Sequence, residues 1–230
     1  MLQIAKHLSA GVFNRHPVRC DLSEEHIFDP LFDIHIPTIV SSGLGNVRSH
    51  DLHGIAHRCM HDLCWFKPAR AYILGLYVDS AMMNRLRTHH DNPVEGMAQV
   101  DCPKTFILFF SSRKDLKHIR KGFERSFENF LSESEKFGGP VNLTNANYAI
   151  GEFLAALGNR DSLKKGDRLE IVCLPSSGEI HVNLTGENHI VIPNASLLIQ
   201  WIHFLYLGLE SRPEARYKSM QQKLLSSGSV

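Results

Sequence analysis

Apolar positions recur along the chain in two rhythms, and their order predicts the elements. Residues 33–40 alternate apolar and polar side chains, the mark of a half-buried strand, with Pro37 favouring a sheet edge. Residues 41–46, SSGLGN, read as a turn, and an extended region follows as far as Phe66. Residues 69–78, ARAYILGLYV, combine β-branched and aromatic side chains and predict a buried strand. Asp79 then caps a short helix through Arg87, and residues 88–103 form a loop. The continuous apolar run KTFILFF at 104–110 predicts a central strand. From 113 to 137 the period becomes helical, with Leu116, Ile119, Phe123, Phe127, Phe130 and Leu131 on one face. Gly138, Gly139 and Pro140 close that helix, and a second follows at 145–157 with Tyr148, Phe153, Leu154 and Leu157 facing inward. Residues 168–174, 179–184 and 189–192 alternate again, joined by turns too short for a crossover, so they form an antiparallel meander. A helix over 194–209 and a basic helical tail end the chain.

Strands followed by helices without regular β-α-β alternation predict an α+β fold, an antiparallel β-sheet with helices packed on one face. One core suffices for the domain at 34–230, preceded by an N-terminal extension at 1–33. The 22 residues from 188 to 209 carry no Asp, Glu, Lys or Arg. The helical part of ~15 residues spans ~23 Å, short of the ~30 Å hydrocarbon layer, and therefore reads as a core helix with no membrane span.

Composition narrows the function. Of 230 residues, 43% are hydrophobic, which excludes a wholly disordered chain. Lys and Arg total 25 against 24 Asp and Glu, a net charge of +1 that argues against nucleic acid as partner. Cys20, Cys59, Cys64, Cys102 and Cys173 form no CxxC pair and no even framework, so reduced cysteines are expected. The first twenty residues hold Lys6, Arg15 and Arg19 and no acid, the pattern of a mitochondrial transit peptide; a cytoplasmic or plastid location is the alternative.

The densest set of ligand-type side chains lies between residues 50 and 64: His50, His53, His57 and His61 with Asp51, Asp62, Cys59 and Cys64. It matches no zinc signature, and in a chain with 14 histidines a metal- or haem-binding module there stays an alternative; no metal or cofactor is assigned. No dinucleotide fingerprint, phosphate-binding loop or GxSxG elbow occurs. Arg58 is more informative. It lies among Ile55, Ala56, Met60, Leu63 and Trp65, ahead of the strand that carries Tyr72. An unpaired guanidinium turned into such surroundings calls for an anion, and a planar fork beside a phenol suits a carboxylate. Solvent or Asp62 is the alternative partner.

Arg58 followed by residues 71–79, with Tyr72, Gly75 and Tyr77, resembles the central motif of the chalcone isomerase-like family. KTFILFF, the helix around 119–131, the meander from Gly166 to Glu187 and the closing helix around 198–208 follow in the family's order. The resemblance covers residues 34–215 and implies the chalcone isomerase-like fold. Catalytic members hold an oxyanion with the arginine and orient substrate with hydroxyl and amide groups. Here Tyr72, His118, Arg125 and Leu205 stand at those hydroxyl and amide positions. Intramolecular lyase (isomerase) activity of the chalcone isomerase type is therefore the alternative, not the first expectation.

The non-catalytic, fatty-acid-binding members are closer, since in them an arginine and a strand tyrosine hold the carboxylate. The resemblance implies Arg58 and Tyr72 in that role, with Arg48 as a second candidate for the arginine. It implies as ligand a fatty acid or similar anionic apolar molecule, with His118, Arg125 and Leu205 beside it. Walls for its tail would come from Phe106, Phe109, Phe123, Phe127, Trp201 and Leu205.

Overall fold

A computed structural model describes residues 26–41, 49–59, 65–89, 100–136, 143–187 and 189–207. Its strands are β1 (His26–Asp29), β2 (Ile34–Pro37), β3 (Ile39–Val40), β4 (His50–Cys59), β5 (Arg70–Val78), β6 (Lys104–Phe109), β7 (Lys114–Asp115), β8 (Ser162–Leu163), β9 (Arg168–Leu174), β10 (Glu179–Leu184) and β11 (Ile190–Ile192). The helices are α1 (Ser80–His89), α2 (Leu116–Lys136), α3 (Leu143–Ala155) and α4 (Ser196–Tyr206). Seven strands form one antiparallel sheet in the order β11-β10-β9-β6-β5-β4-β3, and β1-β2 and β7-β8 are separate pairs. This is the expected α+β architecture.

The two faces of the sheet carry different cores. Strand alternation turns Leu74, Leu76, Val78, Phe106, Leu108, Leu169 and Ile171 toward the helices. There they meet Phe123, Phe127 and Phe130 of α2, Phe153 of α3 and Trp201 of α4. Trp201 receives the edges or faces of Phe123, Phe127 and Phe153 at centroid distances of 5.3–5.9 Å, and its Nε1–H donates to Ser126 Oγ. The burial of α4 on nearly every side explains why its sequence lacks charge. Among the described residues no helix is long and apolar enough to cross a membrane.

The opposite face is covered over β4, β5 and β6 by Phe32, Ile36 and Val40. Residues 26–33, read as an extension, thus supply β1 and a buried Phe32. The single strand expected over 33–40 is broken into β2 and β3 at Pro37–Thr38. Proline ends the first run, because it has no N–H for a ladder. Its carbonyl accepts a 2.9 Å hydrogen bond from Tyr77 Oη instead.

Two core assignments change. Phe109 belongs to the outer cluster, since Thr105, Ile107 and Phe109 alternate with Phe106, Leu108 and Phe110. Tyr148 is exposed, and the inward stripe of α3 is Ala146, Ala149 and Phe153, small residues that admit a close helix approach. The expectation of reduced cysteines holds for Cys102 and Cys173, which are free and buried. It fails at Cys59, which is disulfide-bonded to a cysteine outside the described residues, a proximity that spacing arithmetic does not reveal. The transit-like start, Arg48, His61, Cys64 and the basic tail also lie outside the described residues.

Candidate ligand-binding site

Ala56 faces the helices, so Arg58, two residues further along β4, falls on the same side. The ladder sets it opposite Tyr72, the last pair before a bulge at Arg58/Cys59. Tyr72 packs against the helix-side core, and its ring meets Phe110 edge-on at 6.1 Å between centroids. Arg58, Tyr72 and Phe110 therefore make a row across one end of the sheet. Both polar members are half-buried, so Arg58 is less enclosed than its sequence surroundings imply. Among the described residues no hydrogen bond or ion pair engages its guanidinium.

Helix α2 begins at this end of the sheet. β7 pairs with β8 just before it, and Phe110 N–H donates to Asp167 O just ahead of β9. Arg120 lies four residues past the buried Leu116 and three before the buried Phe123. It is half-buried, and its Nε is sealed from solvent with no hydrogen-bond partner among the described residues. A buried donor left unmade costs ~1–3 kcal/mol, so the Arg120 Nε is held at a cost to stability. Its sequence position on the flank of the Leu116–Phe123 stripe was the available signal.

The other buried cation is differently placed. Lys104 is fully buried at the far end of β6, and its Nζ donates to the carbonyls of Val100 at 2.8 Å and Cys102 at 3.1 Å. Burial pushes its pKa down, and burial also pushes the neighbouring Cys173 thiol up to about 12. With its donors turned to the backbone, Lys104 supports the chain end of β6 rather than an external anion.

The remaining expected site residues do not join Arg58 and Tyr72. His118 and Arg125 are exposed on α2. Each lies two positions past a buried residue, Leu116 and Phe123, which is about 200° around the helix and away from the sheet. Leu205 is half-buried on α4 and packs against the helix-side core.

The histidines of β4 go to separate partners. His50 Nδ1 lies 3.1 Å from Thr105 Oγ1, and His53 falls where the β4–β5 register shifts between Leu52 and Gly54. His57 Nε2 lies 2.6 Å from Asp29 Oδ2, with its ring stacked on Phe32 at 5.1 Å. The His57 contacts pin the β1–β2 hairpin to the outer face. Among the described residues no group of three or more His, Cys, Asp or Glu could hold a metal ion.

No family model matches the chain, and no curated protein matches it in sequence. In structure it is similar to the crystal structure of an Arabidopsis thaliana fatty-acid binding protein, AtFAP1, with a TM-score of 0.62 and 19% identity. The match covers 89% of this chain and 99% of that one. The chain has the chalcone isomerase-like fold.

Proposed function

We propose that the protein binds a fatty acid or a similar anionic apolar ligand at the Arg58–Tyr72 row and performs no chemistry on it. The observation that carries this reading is the Arg58 guanidinium, which faces the helix side opposite a tyrosine and has no acidic partner among the described residues. A carboxylate there would accept a charge-assisted bond from Arg58 and a second bond from the Tyr72 hydroxyl. Its tail would lie along the aromatic and aliphatic side chains between sheet and helices, where each methylene withdrawn from water contributes about 0.8 kcal/mol. The similarity to a fatty-acid binding protein supports the ligand class through the fold alone.

Native mass spectrometry after incubation with hexadecanoic acid tests it. The wild-type protein is expected to hold the acid at one per chain, and Arg58→Ala to lose most of it. Equal occupancy of the two proteins, or none in either, would overturn the assignment.

A further inference from the structure

The sheet end that carries Arg58 and Tyr72 also carries an exposed aromatic pair. Trp65 is 76% exposed and Phe66 49%, with ring centroids 5.9 Å apart. They are held outward by an ordered turn. Residues Lys67–Ala69 form a single 3-10 turn into β5, Ala69 N–H donates to Phe66 O at 2.9 Å, and Ala69 itself is buried. Tryptophan and phenylalanine are kept in water by that turn at a cost that a packed position would avoid.

Among the described residues the charge at this end is predominantly positive. Lys67, Arg113, Lys117, Lys121, Lys164 and Lys165 are all exposed in the segments that converge on this end. Asp33 and Lys165 pair and cancel each other, which leaves five of these cations, and Asp115 turns its carboxylate to the Lys117 and His118 N–H groups at the start of α2. Asp161 is the exposed acid that remains among these segments. The whole chain is nearly neutral, so this cationic excess is local.

We infer that this end of the molecule docks on an anionic lipid bilayer, with Trp65 and Phe66 entering the interface and the surrounding lysines and Arg113 facing lipid phosphates. An exposed aromatic pair at a sheet end rich in cations is the chemistry that the headgroup layer selects: amphipathic rings sit at its depth, and basic side chains are drawn to its negative surface. The inference goes beyond ligand binding, for it names where an apolar acid would be collected, beside the row that would hold its carboxylate.

Vesicle binding measures it directly. Trp201 is fully buried, so a shift in tryptophan emission on mixing reports Trp65. Vesicles of phosphatidylcholine with one quarter phosphatidylserine are expected to sediment with the protein and shift its emission to shorter wavelength. Pure phosphatidylcholine should do neither. The double variant Trp65→Ser/Phe66→Ser should lose sedimentation while keeping its folded circular dichroism, and Lys67→Ala should weaken binding about fivefold. Arg58→Ala should still bind vesicles, which separates this test from that of the ligand site. No binding to anionic vesicles, as an acidic protein partner for this surface would give, or binding unaffected by the double variant, would overturn the inference.

Discussion

Arg58 and Tyr72 are cross-strand neighbours at the last regular rung of β4 and β5, on the face of the sheet that the helices cover. Opposed residues on one face lie close enough to act on one group. Replacing Tyr72 by Phe keeps the ring against Phe110 and removes the hydroxyl. A hydrogen bond to a charged group is worth ~1.5–3 kcal/mol, so fatty-acid affinity should fall about ten- to hundredfold. Displacement titration with a fluorescent fatty acid checks it.

Gly75 explains the rest of the Tyr72–Gly75–Tyr77 motif. A Cβ at Gly75 would stand 2.7 Å from Tyr77 Cε2, on a ring that is fully buried and anchors Pro37. The glycine makes room for the tyrosine to lie along the strand. Gly75→Ala should therefore displace Tyr77, loosen β2 and destabilise the protein by ~1–3 kcal/mol, read from urea denaturation.

Arg120 carries a sealed Nε with no partner among the described residues. Arg120→Met retains the apolar stem and deletes the orphaned donor, so the ligand-free protein should gain about 1 kcal/mol. Loss of stability in the same denaturation experiment would show that the guanidinium is satisfied in solution.

Burial holds the imidazoles of His50 and His189 below the ordinary histidine value of 6.5. The neighbouring Asp79 and Asp51 offset part of the effect at His50, and His181 adds to it at His189. The unfolded chain protonates these groups near 6.5 while the native chain resists, so stability declines as pH falls through that value. His50→Gln should lower stability at neutral pH, through the lost Thr105 contact, and flatten the acid decline. Denaturation midpoints measured from neutral pH to about pH 5 give both effects.

The parts of the fold written as long uniform runs were legible in the sequence. β5 and β6 announced themselves by unbroken apolar content, and α2 by its phenylalanine stripe. Faces within such runs were not. Phe109 and Phe106 look alike in KTFILFF, and only strand pairing assigns them to opposite cores. Arg120 was hidden among Lys117, Lys121 and Arg125, where one inward cation resembles a solvated row. Trp65 and Phe66 close the extended region expected as far as Phe66, and sequence does not record that a tight turn lifts them outward. Of the site, Arg58 and Tyr72 were visible as residue types, and their pairing depends on a register that two irregularities in the β4–β5 ladder obscure.

The most direct measurement follows the ligand's own carboxyl group. Hexadecanoic acid isotope-labelled at the carboxyl carbon should give a bound resonance in magnetic resonance spectra of the wild-type protein. Arg58 should hold that carboxyl ionised, so its titration should lie at lower pH than in the small bound fraction that Arg58→Ala keeps at saturating acid. A bound resonance that titrates identically in both proteins, or no bound resonance at all, would contradict the account.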